Sequence, residues 1–409
     1  MAEANQTLSV LVTGGAEGAG LATVRALLKR GHKVAATACD AEGALALRMA
    51  GALPVFPDLG RASEILSTLQ MTKAQALVHA GPQFYGGAPH NGDQFADNAD
   101  QLRAFTAALV AAARHKIERM ISLSFAYLYD SARGAAKEGD PDTHEGAYAP
   151  MLAAETLVRE SGLSGFIIRS GYIYGGASAE TAALADSIKR SRRLPAGTQP
   201  ASWIHEDDLA AAIVALLESE DLRAGVETIN VAAESRSRPD EFCVALSQAL
   251  GLAAPGFAKA GFLASLREKS LRDKLLGREV TVDSSAIRER FGWTPKHDSI
   301  ESGLEATALV WRMKDAVAAE DFYEIYDDKA AAAIASFAYD AALPEPVEAA
   351  PEPKAEPAVA ATEPAPVKAE APPPSAGPTP WNEDEAKREE RRRKALERKA
   401  KRAAQRAGG

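Results

Sequence analysis

The stretch that decides the fold is LSVLVTGGAEGAGLATVRALLKRGHKVAATACD, residues 8–40. It begins with a short apolar run, LSVLVTG (8–14), which predicts a buried strand. A glycine-rich turn follows, and then a segment from Gly18 to Lys29 that predicts a helix ended by Gly31. KVAATA (33–38) predicts a second strand. A strand, a tight turn, a helix and a second strand together form the first unit of an α/β sheet.

The same alternation continues along the first half of the chain. The predicted elements are a helix (41–51), an extended segment (53–59), a helix (62–70), a strand (74–81), a helix (97–115), a strand (119–125), a helix (151–161) and a strand (164–170). Strands separated by helices favour right-handed crossovers and a parallel sheet. The predicted fold class is therefore α/β, a doubly wound, Rossmann-like parallel sheet that binds ligands at the carboxyl ends of its strands.

After Gly175 the alternation loosens, which divides the chain into segments. The predicted segments are a dinucleotide-binding domain (1–175, with 202–235 returning to its sheet), a smaller, mostly helical substrate or cap region (176–201 and 236–340), a linker rich in Pro, Ala and Glu (341–380) and a basic, charged helix (381–409). The linker has too few large apolar side chains to form a core, so we predict a disordered tail.

The composition excludes several classes of protein. The net charge is −9, and the acidic body opposes general binding to nucleic-acid phosphates, so that only the basic tail keeps that option open. The two cysteines, Cys39 and Cys243, exclude a disulfide framework, and the seven histidines show no metal-ligand spacing, so no metal is expected. No apolar run approaches the roughly 20 residues of a membrane helix. The N-terminal residues lack the features of a signal peptide, and we therefore expect a cytoplasmic protein without a membrane span.

The sharpest functional signal is TGGAEGAG, residues 13–20. Its glycines are Gly14, Gly15, Gly18 and Gly20. Glycines between a strand and a helix let the backbone approach a pyrophosphate at the positive end of the helix. The spacing differs from the usual GxGxxG, and a tight turn without a ligand is the alternative interpretation. If the turn binds a dinucleotide, a bulky residue in place of Gly18 should abolish binding.

Asp40 lies 20 residues beyond Gly20, near the expected position of an acid that binds the cofactor ribose. A solvated loop acid is the alternative interpretation of Asp40. A carboxylate there would repel a 2′-phosphate, and no arginine follows the second strand to bind one. The expected cofactor is therefore NAD, and NADP is less favoured.

TGGAEGAG resembles the nucleotide-binding turn of the short-chain dehydrogenase/reductase superfamily. Later segments resemble the extended branch of that superfamily, the NAD-dependent epimerase/dehydratase family. The matching segments are PDL (57–59), LVHAG (77–81), Asn98, IIRSGYIYG (167–175), SWIHEDDLAAAIVALLE (202–218) and FGWTP (291–295). The cofactor-contacting positions that this resemblance implies are Asp58, Leu59, His79, Ala80 and Gly81. The resemblance also implies a homodimer that pairs the helices near 98–114 and 151–161.

The catalytic motif of that family, Tyr-x-x-x-Lys, is degenerate in this chain. A lysine one helical turn beyond the tyrosine lowers the pKa of the phenol from its usual value near 10. The resemblance places the tyrosine at Tyr148, where the fourth following residue is Leu152, and the catalytic serine at Ser124, one residue early. Pro150 is expected to disturb the first helical turn. An aromatic side chain packed at the start of a helix is the alternative interpretation of Tyr148.

A second polar cluster, HEDD (205–208), has two interpretations. Histidine and carboxylates can bind a metal ion, but acids in the first turn of a helix explain this pattern better.

Three functional hypotheses follow. The first is an NAD(P)-dependent epimerase/dehydratase-like oxidoreductase with an impaired motif, acting on a sugar, a nucleotide-sugar or a related alcohol or ketone. The second is a dinucleotide-binding structural or redox-sensing subunit of a larger complex. The third is an interaction protein whose basic C-terminal helix binds an acidic partner. The glycine-rich turn favours the first two hypotheses, and the missing lysine favours the second over the first in mechanism.

Overall fold

The computed structural model describes residues 7–80, 92–114, 117–130, 134–144, 146–191, 193–195, 197, 199–258 and 279–316. Gly81 and the tail segments predicted for 341–409 lie outside the described residues.

Strands and helices alternate along the described chain. The strands are β1 (Ser9–Thr13), β2 (Lys33–Thr37), β3 (Leu53–Val55), β4 (Ala76–His79), β5 (Arg119–Phe125), β6 (Gly165–Ser170), β7 (Tyr172–Tyr174), β8 (Leu194–Pro195), β9 (Ala201–His205), β10 (Val226–Val231), β11 (Arg236–Ser237) and β12 (Phe257–Ala258). The helices are α1 (Gly18–Lys29), α2 (Ala41–Ala50), α3 (Ala62–Met71), α4 (Gly92–Ala113), α5 (Ala149–Arg159), α6 (Ala179–Lys189), α7 (Glu206–Glu218), α8 (Pro239–Ala249), α9 (Ser285–Phe291) and α10 (Ile300–Ala316).

Seven strands form one parallel sheet in the order β10-β6-β5-β4-β1-β2-β3. The order reverses between β1 and β4, where a doubly wound sheet opens a crevice at the carboxyl ends of its strands. Thr13 and His79 are register partners at this edge, so the two strands end together. The α/β, Rossmann-like fold class predicted from the sequence is confirmed.

The sheet is buried on both faces. Val10 and Val12 of β1 belong to one core cluster, whereas Leu11 between them belongs to another on the opposite face. Successive side chains of a strand point to opposite faces, which explains why a fully covered strand is continuously apolar. Helices α1 and α7 pack against each other, as do α4 and α5.

A smaller C-terminal region contains short sheets as well as helices. Strand β9 pairs in parallel with β7 and antiparallel with β11, and β8 pairs with β12. The sequence indicated mostly helix here, because strands of two or three residues carry little periodicity. Among the described residues, no helix combines the length and apolar character that crossing a membrane requires.

Candidate functional site

The glycine-rich turn begins where β1 ends. Gly14 and Gly18 have φ values of +67° and +50°, in the left-handed region that side chains disfavour. The amide of Gly14 donates to the Thr37 hydroxyl at 3.0 Å, which fixes the turn against β2. Two of the four predicted glycines are therefore required by backbone conformation.

The other two glycines are required by packing. A Cβ atom at Gly20 would overlap the backbone carbonyl of Gly14. A Cβ atom at Gly15 would lie 2.7 Å from the Cβ of Ala36 on β2. Helix α1 thus lies directly against the turn and the sheet, as in folds that hold a pyrophosphate at the start of the first helix.

The first turn of α1 presents backbone N–H groups. The Gly18 amide donates to the Ala177 carbonyl at 2.8 Å, and the Leu21 amide donates to the Glu17 carbonyl at 3.1 Å. The amides of Ala19 and Gly20 have no acceptor among the described residues. Unpaired amides at the positive end of a helix bind anions. The backbone of the turn therefore fits a dinucleotide pyrophosphate.

Glu17 opposes this fit. It is exposed, stands immediately before α1, and its side chain makes no capping hydrogen bond. A carboxylate at this point competes with an incoming phosphate for the amides and repels its charge. If a dinucleotide binds at this turn, the backbone amides would attract its phosphates and the Glu17 side chain would repel them.

Replacing Glu17 by glutamine is expected to tighten NAD binding about fivefold at low salt. Removal of one like-charge contact is worth about 1 kcal/mol in a solvated setting, and this gain should shrink as salt screens it. Calorimetric titration of the variant at two ionic strengths measures the effect. Glu42→Gln, an exposed acid in the first turn of α2, is the matched control. Unchanged or weaker binding by Glu17→Gln would contradict the assignment.

Asp40 lies beside the glycine-rich turn. Its carboxylate accepts a hydrogen bond from the Gly43 amide at 2.8 Å and caps α2. A Cβ atom on Gly43 would lie 2.8 Å from that of Ala16, so the start of α2 lies against the turn. The Asp40 carboxylate therefore stabilises the start of α2, and its binding to a cofactor ribose stays a prediction.

Asp58 and Leu59 follow β3 in an exposed loop. The Asp58 carboxylate accepts from the Gly60 amide at 2.9 Å and pairs with Arg61 at 3.1 Å. Leu59 is half-buried against the core beneath the sheet. The adenine contacts implied by the resemblance stay a prediction for both residues.

His79 at the end of β4 has its ring inside the protein. Its Nδ1 lies 2.7 Å from the Thr13 hydroxyl, and its Nε2 lies 3.3 Å from that of Thr106 on α4. Burial lowers its pKa to about 4, so the imidazole is neutral at pH 7. The ring ties β4 to β1 and α4. The Ala80 amide donates to the Thr13 carbonyl at 3.1 Å, which holds the chain at the edge of the crevice.

Ser124 belongs to a buried ionic network. Its hydroxyl donates to the Glu155 carboxylate at 2.5 Å. Arg169 on β6 is the register partner of Ser124 on β5 and donates to both Glu155 oxygens, at 2.9 and 2.6 Å. It also pairs with Asp142 at 2.7 Å and lies 4.3 Å from the centre of the Tyr129 ring. The Ser124 proton is therefore directed at a structural carboxylate.

The charges of this network are fixed near neutral pH. Burial alone would raise the pKa of Glu155, but hydrogen bonds and charge from Arg169 outweigh it and hold the pKa below its ordinary value. Burial raises the pKa of Tyr129 well above that of free tyrosine. Neither group exchanges a proton near pH 7. Glu155 was not among the predicted site residues, although the arginine inside the apolar strand GFIIRS indicates that a buried acid is needed to pair with it.

Tyr148 is fully buried. It stands just before α5, with its ring 5.5 Å from the ring of Tyr127. Leu152 packs against the same apolar cluster. The expected disturbance by Pro150 is wrong: helix α5 starts at Ala149, and Pro150 lies in its first turn, where an amide has no helical acceptor to lose. A packed aromatic side chain at a helix start describes this geometry well.

The chain has the strand order, the crevice and the glycine-rich turn that are typical of dinucleotide-binding, Rossmann-like proteins. A family model described as NAD(P)H-binding matches residues 14–220, more than half of the 409 residues. The chain belongs to this NAD(P)H-binding family. A comparison with curated protein sequences finds no match.

Solved structures with a similar fold include several enzymes that carry NAD. UDP-glucuronic acid 4-epimerase from Bacillus cereus, in complex with UDP-glucuronic acid and NAD, has a TM-score of 0.63 at 19% identity over 75% of this chain and 99% of its own. UDP-glucose 4-epimerase from Bifidobacterium longum, in complex with NAD+ and UDP, has a TM-score of 0.63 at 18% identity over 75% and 98%. dTDP-glucose 4,6-dehydratase from Bacillus anthracis, in complex with NAD, has a TM-score of 0.60 at 16% identity over 78% and 100%.

These likenesses show a shared fold. The family match confirms an NAD(P)H-binding chain, and the solved structures confirm that its fold resembles that of NAD-dependent epimerases and dehydratases, as the sequence motifs indicated.

Proposed function

We propose that the protein binds NAD at the turn from Gly14 to Gly20 without catalysing hydride transfer, as a structural or redox-sensing protein. The surroundings of the two residues predicted to be catalytic carry this proposal. The serine that the resemblance places at the catalytic centre, Ser124, donates to Glu155 within a buried ionic network. The tyrosine that it places there, Tyr148, is buried beside Leu152 in an apolar cluster.

The chemistry of hydride transfer explains why this arrangement favours binding without turnover. A general acid or base works best when its pKa lies near the operating pH, and a phenol without a neighbouring cation has a pKa near 10. Loss of such a group costs about 10² to 10⁴ in rate. Tyr148 has leucine in place of the lysine, and the Ser124 proton is held by Glu155.

NAD fits the turn better than NADP. Bound NAD would supply a hydride acceptor or donor. The amides of Ala19 and Gly20 would bind its pyrophosphate, and Asp40 its ribose hydroxyls, while the same carboxylate would repel a 2′-phosphate. The similar structures were solved with NAD, which supports this choice.

An active oxidoreductase is the second candidate. The observation that favours it is the fold shared with a UDP-glucuronic acid 4-epimerase, a UDP-glucose 4-epimerase and a dTDP-glucose 4,6-dehydratase. Under this hypothesis the protein would act on a small molecule, such as a nucleotide-sugar, with an acid–base group other than Tyr148. A homodimer and an acidic partner for the basic C-terminal helix stay predictions under either hypothesis.

Calorimetric titration with NAD and NADP, followed by turnover assays, separates the candidates. We expect NAD to bind with a dissociation constant below about 1 mM, more tightly than NADP, and a panel of nucleotide-sugars and secondary alcohols to show no hydride transfer at pH 7. Tyr148→Phe is the companion variant and should leave NAD affinity unchanged.

Each outcome has a defined meaning. Turnover at pH 7 that is lost in Tyr148→Phe would make the protein an enzyme of the usual tyrosine type and overturn the proposal. Turnover that survives Tyr148→Phe would assign the proton transfer to another residue. Absence of binding by both dinucleotides at about 1 mM would remove the basis of both candidates.

A further inference from the structure

Three potential metal ligands from two distant parts of the sequence lie together at the start of α7. His205 ends β9 and stands before α7, Asp207 lies in the first turn of α7, and His297 lies in the segment between α9 and α10. One potential ligand atom from each lies within 4.8 Å of the others. The rings of His205 and His297 have centroids 4.4 Å apart. Sequence analysis favoured a helix start for HEDD, which α7 confirms, but it gave no indication of His297.

The segment that carries His297 is held rigidly. The buried Asp208 carboxylate accepts from the amides of Lys296 and His297, at 2.7 and 2.9 Å. The indole of Trp293 donates to the Asp208 carbonyl at 3.1 Å. These three bonds attach the segment to α7 independently of the His297 ring, so the cluster is built before any ligand arrives.

His205 has a defined tautomer. Its Nδ1 accepts from the Asp207 amide at 3.2 Å, so this nitrogen carries the lone pair. Its Nε2 lies 3.3 Å from the Thr307 hydroxyl, which in turn donates to the Gly303 carbonyl, so Nε2 is the donor. Metal-binding histidines usually show this arrangement, in which the second ring nitrogen donates to an oxygen and fixes the ring. The Asp207 carboxylate lies 3.8 Å from Nδ1.

His297 has the feature that points to a missing ligand. The residue is only 6% exposed, and its Nε2 is buried with no hydrogen-bond partner among the described residues. Buried polar atoms are rarely left unpaired, and a bound ion or water is a common explanation.

We propose that His205, Asp207 and His297 bind a divalent transition-metal ion of the zinc class, with water in the fourth position. Two imidazoles and one carboxylate form a donor set that suits zinc, and three protein ligands leave one position open. The ion would take the place of the 3.2 Å hydrogen bond from the Asp207 amide to His205 Nδ1. The Asp207 amide could then bond to water, because this residue is exposed. Glu206, Asp207 and Asp208 in the first turn offset the positive end of α7.

The bound ion would join parts of the chain that are far apart in sequence. It would connect β9 and α7 to the segment that leads into α10, and its binding would therefore stabilise the folded state. This role is independent of NAD and does not rest on the proposed function.

Metal titration of the full-length, chelator-treated protein tests the site. We expect one equivalent of Zn²⁺ to bind and the thermal midpoint to rise, and one equivalent of Co²⁺ to give the visible absorption of a four-coordinate ion. His297→Gln and Asp207→Asn should each weaken Zn²⁺ binding at least tenfold. His144→Gln, which removes an exposed histidine elsewhere, is the control and should bind like the wild type.

Two results would overturn the proposal. The first is a wild type that binds no stoichiometric Zn²⁺ or Co²⁺. The second is binding that persists in Asp207→Asn or is lost equally in the His144 control. Asp207 is 64% exposed in its side chain, so its substitution keeps the test valid even where His297→Gln does not fold.

Discussion

Replacement of Arg169 by methionine is expected to lower the free energy of unfolding by about 3–5 kcal/mol, the usual cost of leaving one member of a buried ion pair behind. Arg169 is 1% exposed and binds both oxygens of Glu155, which is 4% exposed. Methionine fills much of the volume but leaves the carboxylate without its main partner. Chemical denaturation followed by circular dichroism measures the change.

Two further variants make this measurement specific. Arg159 binds the same carboxylate at 2.8 Å but is 35% exposed in its side chain, so Arg159→Met should cost no more than about 1 kcal/mol. The double variant Arg169→Met with Glu155→Met should recover part of the loss, because it removes the stranded charge. Equal losses in Arg159→Met and Arg169→Met would contradict the assigned role.

The pH dependence of stability follows from the same pair. The folded-state pKa of Glu155 lies below its ordinary value of 4.5, so its contribution to stability is complete above pH 4.5 and is lost as the pH falls through the folded-state pKa. Without Arg169, burial is expected to raise this pKa instead. The stability difference between the wild type and Arg169→Met should therefore narrow when both are measured below pH 4.5.

Replacement of Gly20 by alanine is expected to weaken NAD binding about 10- to 100-fold. The added methyl group would overlap the Gly14 carbonyl, and relief of the overlap must move α1 away from the turn that would hold the pyrophosphate. Overpacking of this kind costs about 1–3 kcal/mol, and each factor of ten in affinity corresponds to about 1.4 kcal/mol. Calorimetric titration with NAD, with thermal unfolding in parallel, measures both consequences.

Gly139→Ala is the control for this substitution, since a Cβ atom at Gly139 meets nothing within 4 Å. If Gly20→Ala keeps the NAD affinity of the wild type, the cofactor does not bind at this turn. This result would also undermine the proposed function.

Local sequence signals were sufficient for the fold. Helix α1 and strand β5 have the predicted bounds, because glycine marks the helix ends and β5 is a run of apolar residues. The extended segment predicted for 53–59 is shorter in the structure, where β3 ends at Val55, before Phe56 and Pro57. The glycines of the turn were predictable for the same reason: their backbone angles and close packing are local requirements.

The rest of the site depends on partners that sequence spacing does not reveal. Ser124, Glu155 and Arg169 come from three different elements, and only the register of β5 with β6 and the packing of α5 bring them together. His297 lies beside His205 for a similar reason, because the Asp208 carboxylate accepts a hydrogen bond from the His297 amide and so fixes the segment before α10. A single sequence shows an unusual residue in such cases but not its neighbour.

Under the proposed function, the bond between Ser124 and Glu155 also limits how catalysis could be engineered into this chain. Leu152→Lys restores the spacing of the lost motif, but it would place an ammonium group against the apolar cluster that holds Tyr148. The serine would still be committed to a carboxylate that Arg169 needs. A single substitution therefore brings the cost of a new charge without the benefit of an acid–base pair.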